Sequence, residues 1–99
     1  MDSSPGELVR VHVWVTGRVQ GVGFRAHVEY YGSKLGVTGW VRNVGHNTVE
    51  TVAEGSQSQI DQFMAMVKQG PRASRVDEAR VEVEPVTGEF KEFGVKRSL

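Results

Sequence analysis

The chain contains no cysteine, and that absence removes thiolate nucleophiles, zinc-thiolate sites and disulfide frameworks together. It suits a reducing compartment. An excess of charge of one sign is also missing: 12 Lys and Arg stand against 12 Asp and Glu, for a formal net charge of zero. There is then no overall field with which to hold a polyanion such as DNA, and any anion must be gripped locally. No apolar run approaches the roughly 18 residues needed to span a bilayer. The opening Met1-Asp2-Ser3-Ser4-Pro5-Gly6-Glu7 has neither a basic n-region nor an apolar h-region. Internal repeats and low-complexity tracts are absent too. These absences lead to the expectation of a soluble, cytoplasmic protein without nucleic-acid or membrane partners. Its 99 residues leave room for one domain, expected over residues 8–99, with 1–7 as a flexible polar leader.

What is present is patterned. Residues 8–16, Leu-Val-Arg-Val-His-Val-Trp-Val-Thr, alternate with period two, so Val9, Val11, Val13 and Val15 share one face and Arg10, His12, Trp14 and Thr16 the other. Phe24, Val28, Tyr31 and Leu35 form one stripe of a helix, which Gly36 stops. Val37 to Val44 and Thr48 to Ala53 are rich in β-branched residues and are joined by Gly45-His46-Asn47, which reads as a hairpin with Asn47 able to take positive φ. Ser56 is the natural N-cap of a second helix carrying Ile60, Phe63, Met64 and Val67, closed by Gly70-Pro71. Residues 76–86 alternate again, and Phe93 to Arg97 offer a short edge strand. The order β-α-β-β-α-β predicts an α+β, ferredoxin-like sandwich, with two helices on one face of an antiparallel sheet of four to five strands. On the open face would lie Arg10, His12, Trp14, Trp40 and Arg42.

Between the first strand and the first helix runs Gly17-Arg18-Val19-Gln20-Gly21-Val22-Gly23-Phe24-Arg25. Unpaired N–H groups and the positive end of a helix dipole converge at such a junction. Gly21 and Gly23 let successive amides point into one concavity, and Arg25 can lay its planar fork across two anion oxygens. The spacing is neither a Walker A loop nor the G-x-G-x-x-G dinucleotide pattern. The same glycines would equally serve a tight crossover that leaves Arg25 solvated.

The run from Val15 to Arg25, followed by Gly39-Trp40-Val41-Arg42-Asn43, resembles the two signatures of the acylphosphatases. The likeness extends from Leu8 to Lys96 in the order and lengths of the elements. It implies hydrolysis of the carboxyl-phosphate anhydride of a small acyl phosphate, with no metal and no cofactor, by a protein expected to be a monomer. By position, Arg25 matches the family's catalytic arginine, which binds the phosphoryl group, and Asn43 matches its catalytic asparagine, which holds the attacking water. The amides of Val19, Gln20, Gly21, Val22, Gly23 and Phe24 match the phosphate cradle. The alternative is a non-catalytic anion-binding or regulatory module of the same fold. His46-Asn47 departs from the family's frequent Asp-Gly at the turn, and a shifted turn would displace Asn43.

The remaining features read more plainly. His12, His27 and His46 show no zinc spacing and read as surface residues. Glu82 and Glu84 read as a solvated strand face. Trp14 and Trp40 beside Arg10 and Arg42 resemble an RNA-stacking platform, but the RNP1 pattern is absent and the net charge is zero. Arg18 is open to two readings, guiding the incoming anion or merely solvated.

Overall fold

Strict alternation makes β1 (Val9–Arg18) half-buried: Val11, Val13 and Val15 are in the core, while His12 and Trp14 lie on the other face. The computed structural model describes residues 7–99, so the expected leader falls, apart from Glu7, outside the described residues. After β1 come α1 (Phe24–Leu35), β2 (Thr38–Val44), β3 (Thr48–Gly55), α2 (Gln57–Gln69), β4 (Arg75–Glu84) and β5 (Phe93–Val95). Gly36 ends α1 in the left-handed conformation at φ 83°, returning its N–H to the last turn. Ser56 caps α2 through a reciprocal box with Gln59.

The sheet order is β4-β1-β3-β2-β5. The four long strands are antiparallel neighbours throughout. The fifth, whose pairing the side-chain pattern leaves open, runs parallel to β2 and makes the sheet mixed. Both helices pack on the valine face, where Val13, Val28, Val41, Ile60, Phe63 and Val67 belong to one buried cluster. In the turn Gly45-His46-Asn47, Gly45 carries the positive φ, at 61°, and Asn47 does not. No helix among the described residues is long and apolar enough to cross a membrane.

The open face is held by a ladder of alternating charges. His12 stands between two carboxylates, its Nε2 2.6 Å from Glu50 Oε2 and its Nδ1 2.7 Å from Glu84 Oε2. Arg42 donates to the other oxygen of Glu50 at 2.7 Å, and Arg10 donates to Glu84 and Glu54, each at 3.0 Å. His12 and Glu84 are therefore enclosed, where the sequence reads as a solvated surface. The tryptophan ring faces are occupied by the protein's own groups: His12 stacks on Trp14 at 3.9 Å, Arg80 lies over Trp14 at 4.4 Å, and Arg42 and Lys96 lie over Trp40 at 4.8 and 4.5 Å. A base stacking there would have to displace them.

Burial alone would push the Glu54 carboxyl up, but N–H groups of Thr87 and Gly88 and the Arg10 guanidinium outweigh it and hold it below its ordinary range. Glu50 follows the same logic, with burial opposed by Arg42 and His12. Glu84 is held down by His12 and then Arg10. A carboxylate with a depressed folded-state pKa contributes stability above its unfolded value and loses it as pH falls through the folded one. With the Glu54 side chain only 2% exposed, Glu54→Ala is expected to lower unfolding free energy by about 3 kcal/mol at pH 7. In urea titrations that deficit should shrink below pH 4.5, the ordinary value. An undiminished deficit at pH 3 would mean that packing, not charge, sets the loss.

Candidate active site

β1 ends at Arg18 and α1 begins at Phe24, leaving residues 19–23 to reverse the chain. Gly21 and Gly23 take left-handed φ of 74° and 79°, and a Cβ at either would meet nothing within 4 Å. Backbone conformation, not crowding, is what demands glycine there. The buried Val19 and Phe24 fasten the two ends of this loop to the core. The helix that follows begins without the usual satisfaction of its first N–H groups: Gly23 at the N-cap supplies no side chain, and the first turn holds no acidic residue. The contrast with the boxed start of α2 is direct. An α-helix left open in this way presents donors and a positive dipole end to an anion.

Arg25 sits in that first turn, half-buried, and among the described residues its side chain takes part in no hydrogen bond or ion pair. Asn43 arrives from β2. It shares its face with the fully buried Val41, the face that carries the helices, so alternation brings its carboxamide toward the start of α1. Arg25 and Asn43 line one cleft of about 360 Å³. Val19, Gly21, Gly23 and Phe24 form its loop side, Ala26 and Glu29 continue the α1 side, and Val95 of β5 borders it near Asn43. Asn43 Oδ1 is buried and, among the described residues, has no hydrogen-bond partner. An orphaned buried acceptor costs about 1–3 kcal/mol, and such a group retained in a cleft points to a donor that arrives with the ligand.

The other loop residues divide. Gln20 does not line the cleft; its side-chain amide donates to the carbonyls of Val44, Gly45 and Thr48 at 3.2, 3.1 and 2.9 Å. With the Gly17 N–H donating to Asn47 O at 3.1 Å, it ties the loop to the turn just beyond Asn43. The β2–β3 register runs unbroken to Val44 and Thr48, so His46-Asn47 leaves Asn43 in place. Val22 packs against the core. Arg18 is exposed and outside the cleft lining. His12 lies across the sheet, and His27, its pKa lowered by burial, flanks Tyr31 on α1. Among the described residues no group of three or more His, Asp or Glu side chains is placed to hold a metal ion.

Sequence reasoning missed Glu29 and Val95 as cleft residues. For Glu29 a signal existed, since four residues on a helix place it on the flank of Arg25. For Val95 there was none, because the parallel pairing with β2 brings it there.

The acylphosphatase family model matches residues 11–95. An acylphosphatase of Methylococcus capsulatus is 49% identical over 90 residues, covering 91% of this chain and 98% of the relative. The solved acylphosphatase of Coxiella burnetii is 33% identical with a TM-score of 0.85, covering 97% of this chain and all of that one. The crystal structure of the Bacillus subtilis acylphosphatase, also 33% identical, gives 0.84, with 89% of this chain and 98% of the other covered. A match running from the core of β1 to the last residue of β5, on a sheet that superposes nearly end to end on solved relatives, makes this chain a member of the acylphosphatase family, hydrolases that act on acyl phosphates.

Proposed function

We propose that the cleft is the active site, with the phosphoryl group of the acyl phosphate seated against the loop amides and Arg25 while Asn43 holds the attacking water. The single observation that carries this reading is the buried Oδ1 of Asn43 in the same cleft as the Arg25 guanidinium, both without a partner among the described residues. The guanidinium grips two phosphoryl oxygens through a planar fork. Amides of the loop residues that border the cleft, Val19, Gly21, Gly23 and Phe24, and the uncapped start of α1 meet the remaining charge. Oδ1 accepts one O–H of the water, and the carboxamide N–H₂ donates to a phosphoryl oxygen, which aims the water at phosphorus.

The P–O bond to the acyl group breaks as the bond to water forms. The carboxylate leaves with the electron pair, and the water's proton passes to a phosphoryl oxygen. A carboxylate is a good leaving group, so positioning and charge stabilisation suffice and no strong base is needed. His12, on the far face of the sheet, has no part in the step. The lack of cysteine supports a cytoplasmic setting.

The test is steady-state release of phosphate from benzoyl phosphate in the presence of a chelator. Turnover inhibited competitively by inorganic phosphate is expected. Tight phosphate binding with no turnover would instead make the chain an anion-binding module.

A further inference from the structure

Glu29 stands in the cleft without a task in the step just described. It follows Arg25 by four residues, which puts its carboxylate on the same flank of α1, roughly 6 Å farther along the axis. It is half-buried and, among the described residues, forms no ion pair. Glu29 and Ala26 also line a second groove that continues along α1 past Tyr30 to Lys34. The phosphate cleft and this groove thus share a wall. With water delivered from Asn43, in-line displacement sends the leaving carboxylate away from that residue. The side chains left to meet the acyl group are Ala26, Glu29 and, beyond them, the exposed ring of Tyr30.

We infer that Glu29 reads the charge of the acyl group, favouring acyl phosphates whose acyl part is neutral or carries an ammonium and disfavouring those that carry a second anion. The inference rests on the active-site reading above. Two unit charges at this range in a partly solvated cleft change binding by about tenfold, and the effect is screened by salt. Lys34 has the opposite sign but lies nine residues beyond Arg25, roughly 13 Å along the helix, with its ammonium 3.4 Å from the Tyr30 hydroxyl. A short acyl group meets Glu29 and does not reach Lys34.

The experiment compares kcat/KM for benzoyl phosphate, 4-carboxybenzoyl phosphate and 4-(aminomethyl)benzoyl phosphate in the wild-type protein, Glu29→Gln and Glu29→Lys. Taking each substrate relative to Glu29→Gln cancels the intrinsic reactivities of the three anhydrides. The wild-type preference for the aminomethyl over the carboxy substrate, about a tenfold gain on one multiplied by about a tenfold loss on the other, is expected to fall by about 100-fold in Glu29→Gln, to reverse in Glu29→Lys, and to narrow at high salt. The same preference in all three proteins would overturn the inference. An equal loss of kcat on all three substrates would also overturn it, by making Glu29 part of the chemical step. Failure of the wild-type protein to hydrolyse any of them would sink the active-site reading, and this inference with it.

Discussion

Arg25→Lys is expected to lower kcat/KM for benzoyl phosphate on the order of 1000-fold, the scale seen when an arginine that stabilises a transferring phosphoryl group is lost. Lysine keeps the charge but offers a single ammonium in place of a planar fork, so two phosphoryl oxygens are no longer held in a fixed plane. Among the described residues no other cation lines the cleft to take over. Because the Arg25 side chain makes no hydrogen bond or ion pair among the described residues, the folded state should hardly notice, and thermal unfolding should stay within a few degrees of wild type. Inhibition by inorganic phosphate should weaken in parallel with activity. Unchanged kinetics would remove Arg25 from the site.

Asn43→Ala should behave differently. It is expected to lower kcat on the order of 100-fold, the usual scale for one well-placed polar group, while inhibition by phosphate is largely preserved. The variant should be no less stable than wild type, because the oxygen removed is an acceptor that no donor among the described residues satisfies. That separation, activity lost with affinity and stability retained, distinguishes a water holder from a structural residue. If phosphate affinity collapsed instead, Asn43 would be an anchor for the anion.

Both predictions concern residues visible in the sequence, and the reason is local. Alternation from Val9 to Val15 fixes which face of β1 is buried, and the glycine loop follows directly on it, so cradle and guanidinium are placed by neighbours in the chain. The position of Asn43 depends only on counting from Val41 along the same strand. What escaped notice depends on relations that no short pattern encodes. β5 has three residues, too few for a period, and is placed by main-chain bonds such as Lys96 N–H to Val41 O and Leu99 N–H to Asn43 O. Glu29 shows its i, i+4 spacing from Arg25, but that this flank lines the cleft depends on the phase of α1 relative to the loop. Glu84 and His12 read as surface because alternation gives a face, not what covers it; they are enclosed by partners from β1, β3 and β4. Even the turn was half-legible: its length was right, but Gly45, not Asn47, carries the unusual backbone angle.

The ties from Gln20 and Gly17 fix the geometry around Asn43 from outside the hairpin tip, through the carbonyls of Val44, Gly45, Asn47 and Thr48. His46 is exposed and none of those ties uses it. That position is therefore where a fluorophore or an affinity handle can be grafted: the label would sit only three residues from the Asn43 carboxamide, yet the cleft would not feel it.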